Sequence, residues 1–204
     1  MKTGISGAVG IGKTSFIESL DGSIFLKVEE AARQVNAMYP DKNNEELREL
    51  IFHHQFSVEE VVGRINEDLI AIAIFDRTVI DNIVFMELFA GREIAEGKKK
   101  FIKTAYLRGF KKYDALYYLD YGQDYDFEML KIILSDPFRK MTLGKFAEID
   151  KFMNFNKRFK SVFLRTAAEL GMQVEVISTN YDEFSLKERN EKLSNKILNN
   201  FLGV

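Results

Sequence analysis

The sequence contains no cysteine among its 204 residues. Disulfides, thiolate catalysis and cysteine-based zinc sites are therefore excluded. No apolar run approaches the roughly 20 residues that a membrane helix needs. The segment Met1-Lys2-Thr3 leads directly into a short apolar stretch, without the features of a signal peptide. These absences lead us to expect a cytoplasmic protein without a membrane partner.

An excess of charge of either sign is also missing. Lys and Arg together number 29 and Asp and Glu 31, which gives a formal net charge of −2. Such a balance exerts no strong overall attraction on nucleic acid or membranes, although a local basic groove remains compatible with it. Hydrophobic residues make up 46% of the chain, enough to build a core. We expect a single domain over residues 1–204.

Short apolar segments alternate with segments of helical periodicity. Strands are predicted at residues 2–6, 23–28, 69–75, 115–119 and 172–177. The third segment is unbroken apolar, which is typical of a strand buried on both faces. Helices are predicted at residues 14–20, 29–38, 43–54, 58–68, 79–89, 98–112, 144–170 and 185–202. This alternation predicts an α/β three-layer sandwich around a central, mainly parallel, five-stranded sheet.

A glycine-rich loop lies between the first predicted strand and the first predicted helix. Its spacing is G-x-x-x-x-G-K-[ST], the pattern of a phosphate-binding P-loop. Glycines let successive backbone N–H groups turn towards an anion, and the helix presents its positive N-terminus to it. In this interpretation Lys13 reaches the β- and γ-phosphates of ATP and the Thr14 hydroxyl ligates Mg²⁺. The predicted ATP-binding residues are Gly7, Ala8, Val9, Gly10, Ile11, Gly12, Lys13, Thr14 and Ser15.

Acids and cations occur together after the second and third predicted strands. Ligands of open α/β sheets bind at the carboxyl ends of the strands. One end carries Glu30 and Arg33, and the other carries Asp76 and Arg77, with Asp81 about one helical turn further on. Phosphoryl transfer needs a carboxylate to orient or deprotonate the acceptor, cations to balance charge, and an acid to hold Mg²⁺. We predict Glu30 as the base, Arg33 and Arg77 as clamps, and Asp76 as a metal ligand or acceptor-orienting group.

Three of these residues also have a purely structural interpretation. Glu30 can be a first-turn acid that favours the dipole of its helix. Asp76 can cap the following helix. Arg77 can form an ordinary surface ion pair.

Three segments together resemble the small P-loop kinases: Gly7–Ser15, Glu30-Ala31-Ala32-Arg33, and Phe75-Asp76-Arg77-Thr78-Val79-Ile80-Asp81-Asn82. That group includes deoxynucleoside kinases, thymidylate kinases and the AAA-type domain resembling nicotinamide riboside kinase, to which the Glu-x-x-Arg spacing is most similar. The resemblance covers residues 1–90. It implies the P-loop NTPase fold, with ATP and Mg²⁺ as cofactors. It also implies catalytic positions for Lys13, Glu30, Asp76 and Arg77.

Weaker signals concern the acceptor and a lid. Gln55, flanked by Phe52 and Phe56, precedes the third strand, and its amide is a candidate contact to a base edge with the rings stacking on the base. Residues 121–141 are polar and irregular, and we expect a lid there in which Arg139 neutralises charge. The dense arginine lid of the resembling group is missing. The predicted acceptor contacts are Glu30, Arg33, Gln55, Arg77, Asp81 and Arg139.

These patterns favour an ATP- and Mg²⁺-dependent kinase that phosphorylates a nucleoside or nucleotide. A first alternative is a kinase whose acceptor hydroxyl is carried on DNA or RNA, because residues 98–112 are strongly basic. A second is a nucleotide-hydrolysing ATPase or switch, in which Asp76 holds Mg²⁺ and water is the acceptor. Arg77, directly after that acid, suits an acceptor site better than a water site. The sequence names neither the acceptor nor the oligomeric state.

Overall fold

The computed structural model of the protein describes residues 1–68, 71–121, 131, 134–135, 148–179 and 183–203. The strands are β1 (Lys2–Gly7), β2 (Phe25–Val28), β3 (Ile72–Asp76), β4 (Ala115–Tyr121) and β5 (Glu175–Thr179). The described helices are α1 (Lys13–Ser19), α2 (Ala31–Met38), α3 (Asn44–Asp68), α4 (Val79–Phe89), α5 (Arg92–Leu107), α6 (Ile149–Glu169) and α7 (Glu183–Leu202). None of the helices within these ranges is both long and apolar enough to cross a membrane.

The five strands form one sheet in the order β2-β3-β1-β4-β5, and every neighbouring pair is parallel. The predicted α/β fold with a central parallel sheet is therefore confirmed. Because β1 lies between β3 and β4, the loop after β1 emerges between the carboxyl ends of both neighbours. This is the switch point at which open α/β sheets bind ligands.

The centre of the sheet is the centre of the core. All residues of β1 and β3 are buried, as the apolar run of the third predicted strand indicates. Phenylalanines fill the space between sheet and helices, and Phe16, Phe52, Phe75 and Phe163 are all less than 2% exposed. Helix α4, which begins shortly after the end of β3, packs against α5 and α6, and this packing holds the residues between β3 and α4 in place. The two strands that carry the phosphate loop and the Asp-Arg pair are thus the most completely buried strands of the sheet.

One predicted helix boundary is wrong. The sequence predicts two helices at residues 43–54 and 58–68, but α3 runs unbroken from Asn44 to Asp68. Tertiary contacts explain the continuity, because the ring of Phe56 stacks on that of Phe110 with 4.5 Å between centroids. The Gln55 side chain is also held by hydrogen bonds in the interior. Residues 55–57, between the two predicted helices, contain neither glycine nor proline, so no helix-breaking residue is present there.

Two further boundaries differ from prediction. Helix α5 begins at Arg92 and ends at Leu107, before Gly109, whose φ of 94° stops the helix, so the basic residues up to Lys112 do not continue it. The last strand is displaced towards the C-terminus and spans Glu175–Thr179 instead of residues 172–177. The predicted lid at residues 121–141 lies almost wholly outside the described residues.

Candidate functional site

The phosphate loop starts at a glycine that no other residue can replace without movement of the backbone. Gly7 has a φ of 143°, and a Cβ atom added there would lie 2.2 Å from the carbonyl oxygen of Leu119 in β4. Gly10 and Gly12 also adopt left-handed backbone, with φ values of 81° and 80°. The glycines of the motif are therefore required by close approach and by backbone conformation.

The ammonium group of Lys13 is enclosed by the phosphate loop. Its ammonium donates to the carbonyl oxygens of Gly7 at 3.1 Å and Ala8 at 2.7 Å. Burial, and secondarily the positive charge of Arg77, lower the pKa of Lys13 to about 7. A nucleotide phosphate would place a negative charge in direct contact with this buried ammonium, in line with the predicted contact to the β- and γ-phosphates.

Thr14 and Asp76 meet at the end of β3. The Thr14 hydroxyl donates to Oδ2 of Asp76 at 2.6 Å, while the buried Oδ1 has no hydrogen-bond partner in the described part of the chain. Burial raises the pKa of Asp76 above its usual range. The following helix is capped by Thr78, so helix capping does not explain Asp76.

This pair fits Mg²⁺. A hydroxyl and a carboxylate oxygen are the hard ligands that Mg²⁺ prefers, with phosphates and water completing its shell. The unpartnered Oδ1 of Asp76 is a ready ligand atom. Among the described residues no group of three His, Asp or Glu side chains forms a separate metal site, so the ion would depend on the nucleotide as well as on the protein.

Arg77 links the ends of β2 and β3. Its Nε donates to Oε1 of Glu30 at 2.8 Å, and its Nη1 donates to Oδ1 of Asp81 at 3.1 Å. Burial opposes the charge of this guanidinium, but the carboxylates of Glu30 and Asp81 outweigh it and raise the pKa of Arg77. The φ of Arg77 is 70°, a conformation that costs a non-glycine residue of order 1–3 kcal/mol. Strain of this kind is typical of functional sites.

Asp81 is fully buried and holds the local structure together. One carboxylate oxygen accepts from the backbone N–H and the hydroxyl of Thr78, at 2.9 and 2.8 Å, which completes a capping box for α4. The other accepts from the Ser6 hydroxyl at 2.6 Å, besides Arg77. These four partners place the predicted acceptor contact Asp81 behind Arg77, where it orients the guanidinium.

Arg33 lies at the open side of the site. Its Nη2 donates to the Thr14 hydroxyl at 3.2 Å, and its Nε lies 3.7 Å from Oε2 of Glu30. The side chain is 56% exposed, in contrast to that of Arg77 at 9%. Arg33 is thus close to the predicted metal ligands and remains accessible to a ligand from solvent.

Gln55 lies in the interior beneath Arg77. Its Nε2 donates to Oε1 of Glu59 at 3.0 Å and to the backbone oxygen of Arg77 at 3.3 Å. Phe52 is fully buried, and Phe56 packs on other rings. Here Gln55 supports the strained backbone of Arg77, and its contact with an acceptor base stays a prediction.

A different set of rings lies on the guanidinium of Arg77. The Cζ atom is 5.2 Å from the ring centroid of Phe85 on α4 and 5.8 Å from that of Phe159 on α6. Phe89 and Phe155 extend this group of rings along the same two helices. The four phenylalanines form an apolar wall beside the charged site, which the even spread of phenylalanine along the sequence does not reveal.

Three residues remote in sequence hold the phosphate loop, and the sequence analysis missed them. Arg189 on α7 donates from Nη1 to the carbonyl oxygen of Ile11 at 2.7 Å. The Tyr121 hydroxyl donates to the carbonyl oxygen of Val9 at 2.6 Å, and Asn156 on α6 accepts from the Val9 N–H at 3.3 Å. No spacing relative to the motif marks these residues, so only the folded chain identifies them.

The remaining predicted features are Arg139 and the basic stretch of residues 98–112. Arg139 lies outside the described residues. Within the basic stretch, Lys98 pairs with Glu49 at 2.5 Å, and the buried Lys99 pairs with Glu169 at 2.7 Å. Part of that positive charge is therefore neutralised inside the molecule and is not displayed to a polyanion.

The geometry can be compared with known proteins. No protein-family model and no curated protein matches the sequence. Among solved structures, deoxyadenosine kinase from M.mycoides with bound dATP matches with a TM-score of 0.61 and 16% identity, over 97% of this chain and 99% of that one. Thymidylate kinase from Ehrlichia chaffeensis matches with a TM-score of 0.56 and 12% identity, over 97% and 98%.

The NadR protein in complex with NR matches with a TM-score of 0.66 and 17% identity. That match covers all of this chain but 51% of the NadR chain. Identities this low establish architecture and not activity. The resemblance to small P-loop kinases that the three sequence segments indicate is confirmed in three dimensions, and the chain has the P-loop kinase fold.

Proposed function

We propose that the protein is an ATP-dependent phosphotransferase that moves the γ-phosphoryl group to a nucleoside or a nucleotide-like acceptor. One observation carries the proposal. A continuous set of contacts joins Thr14 to Asp76 and Arg33, and Arg33 and Arg77 to Glu30, directly beside the phosphate loop. The likeness to deoxyadenosine kinase, thymidylate kinase and NadR supports it.

The roles of the residues follow from charge and position. The acceptor hydroxyl oxygen forms a bond to the γ-phosphorus, the bond from that phosphorus to the bridging oxygen of ADP breaks, and the acceptor proton passes to the carboxylate of Glu30. Lys13 exchanges its loop carbonyls for phosphate oxygens. Arg77 balances charge on the transferring group. Thr14 and Asp76 would hold Mg²⁺, which when bound would supply positive charge to the phosphates.

Transfer to an acceptor is favoured over transfer to water. Glu30 is 22% exposed and held by Arg77 on one oxygen, so it presents a fixed carboxylate towards the open side of the site. Of the four rings next to Arg77, Phe85 and Phe89 are only partly buried, and their apolar surface suits a planar base better than a water site. In α5, Lys98 and Lys99 are paired with acids, which reduces the positive charge that this helix offers to a nucleic-acid acceptor.

The test is acceptor-dependent release of ADP. Purified protein with ATP and Mg²⁺ is assayed against a panel of nucleosides and nucleoside monophosphates, and at least one of them should stimulate release above the blank without acceptor. Glu30→Gln should lower the transfer rate about 10²-fold or more and leave the Kd for ATP within about threefold, because the base acts on the acceptor. Glu29→Gln is the matched control, since Glu29 is exposed and adjacent. Failure of every acceptor, with sustained hydrolysis instead, would favour the ATPase alternative.

A further inference from the structure

The third residue of the phosphate loop is held from both sides of its backbone. The Val9 carbonyl oxygen accepts from the Tyr121 hydroxyl at 2.6 Å, and the Val9 N–H donates to Oδ1 of Asn156 at 3.3 Å. Tyr121 ends β4 and Asn156 lies within α6, so two separate elements converge on one residue of the loop. The loop conformation at Val9 is therefore set by tertiary contacts as well as by its glycines.

Asn156 has a second polar group that these contacts do not use. Its side chain is 7% exposed, and its Nδ2 is buried without a hydrogen-bond partner in the described part of the chain. The Val9 N–H is a donor, so the atom facing it is the oxygen, and the orientation of the amide follows. A buried N–H donor without a partner destabilises the fold, so its retention calls for an explanation.

The position of this nitrogen points to the nucleotide. Lys13, whose ammonium serves the β- and γ-phosphates in a P-loop, contacts the carbonyl oxygens of Gly7 and Ala8, the two residues directly before Val9. The amide of Asn156 is thus bonded to the loop residue that directly follows the two residues contacted by Lys13. Its NH₂ group is a neutral donor next to a site whose predicted ligand carries several acceptor oxygens.

We propose that Asn156 is a nucleotide-binding residue whose Nδ2 donates a hydrogen bond to a γ-phosphoryl oxygen of bound ATP. This inference rests on the proposed function. It gives the amide two tasks: the oxygen fixes the loop and the nitrogen distinguishes ATP from ADP. Helix α6 then senses whether the transferable phosphoryl group is present.

A role in loop support alone makes a different prediction. Support of Val9 needs an acceptor only, and an aspartate or a serine would provide it. Loss of support alone acts through Val9, so releasing Val9 from either side should change the affinities for ATP and ADP in the same way. Loss of a hydrogen bond to the γ-phosphoryl group instead lowers the affinity for ATP and leaves that for ADP unchanged.

The experiment measures Kd for ATP and for ADP by calorimetry, with Mg²⁺ and without an acceptor, for the wild type and Asn156→Ala. The ratio of the ADP Kd to the ATP Kd should fall about tenfold or more in the variant, as expected for one charge-assisted hydrogen bond. Asn156→Ser keeps an acceptor oxygen for the Val9 N–H without the amide nitrogen and without a new charge, so it should lower the ratio about as much, and it carries the test if the alanine variant does not fold. Tyr121→Phe is the control, since it releases Val9 from the other side and should leave the ratio unchanged.

The outcomes separate this inference from the proposed function. An unchanged ratio in both Asn156 variants, with wild-type binding and transfer intact, overturns the role of Nδ2 and leaves the phosphotransferase proposal standing. A ratio that falls equally in Tyr121→Phe also overturns it, because the effect would then come from the loop. A wild type that binds neither nucleotide overturns both.

Discussion

The buried ammonium of Lys13 makes ATP binding depend on pH. In the nucleotide-free protein, burial and the charge of Arg77 lower the pKa of Lys13 from 10.5 to about 7. A bound triphosphate places negative charge beside the ammonium and restores the protonated form. Binding therefore takes up a proton whenever the free protein holds Lys13 uncharged, and affinity must fall as pH rises above 7.

The size of the effect follows from the pKa. With a value of about 7, roughly half of the free protein carries a charged Lys13 at pH 7 and roughly one molecule in 100 at pH 9. If only the charged form binds ATP tightly, the Kd rises roughly fiftyfold over these two pH units, which corresponds to about 2 kcal/mol. The triphosphate itself contributes little to this change, because its last ionisation, with a pKa of about 6, is nearly complete at pH 7.

The assay is calorimetric titration with ATP and Mg²⁺ at pH 7, 8 and 9, in pairs of buffers that differ in ionisation enthalpy. Proton uptake should approach about one per ATP bound at pH 9 and be about half of that at pH 7. Lys13→Met binds more weakly but without this pH dependence, and it is the control. A Kd that stays within twofold from pH 7 to pH 9, or the same slope in Lys13→Met, would show that protonation of Lys13 does not control ATP binding.

Four further results are expected. The nucleotide-free protein should gain stability between pH 7 and 10.5, because its folded Lys13 binds fewer protons than the unfolded chain there, and Lys13→Met should lose this gain in urea titrations across that range. Gly7→Ala should lower the free energy of unfolding by at least the roughly 1–3 kcal/mol of an overpacked site, since its Cβ meets the backbone of β4, and thermal denaturation measures this. Asp76→Asn should raise the Mg²⁺ concentration needed for half-maximal activity, while ATP binding measured with excess chelator stays nearly unchanged. Glu59→Gln should cost about 3–5 kcal/mol in urea denaturation, because it leaves the buried ammonium of Lys2, 3.1 Å away, without its charge partner.

Gly7→Ala and Glu59→Gln each have a matched control variant. Gly22→Ala is the control for Gly7→Ala, because a Cβ at Gly22 has no neighbour within 4 Å. An Asp76→Asn enzyme with unchanged Mg²⁺ dependence would remove that residue from the metal site. Glu46→Gln breaks an exposed ion pair with Lys42 and should change stability far less than Glu59→Gln. Equal effects of the two glutamine variants would contradict the importance of burial.

The parts of the site that sequence predicted are those set by local chemistry or by topology. The phosphate loop is a contiguous motif with a strand before it and a helix after it. Glu30 and Arg77 are 47 residues apart, yet the rule that parallel strands present their carboxyl ends at one edge predicts that they meet. The same rule places Asp76 beside Thr14.

The parts that sequence missed depend on packing. The 3.6-residue period marks Asp81 as one turn beyond Arg77 but does not show that its carboxylate is buried and completes a capping box. The continuity of α3 through Gln55 results from contacts with Phe110 and Arg77, which are distant in sequence. Asn156 approaches the loop only because α6 packs against α4, and nothing in its local sequence signals a phosphate.

In the proposed reaction the γ-phosphoryl group passes to an acceptor held at Glu30 and Arg77 and not to water. It is tested most directly by the fate of the label from γ-labelled ATP, incubated with Mg²⁺, the wild-type protein and the acceptor panel. The label should appear on at least one nucleoside or nucleotide, and Glu30→Gln should abolish this product while ATP still binds. Label found only in inorganic phosphate, at a rate that no acceptor changes, would contradict it.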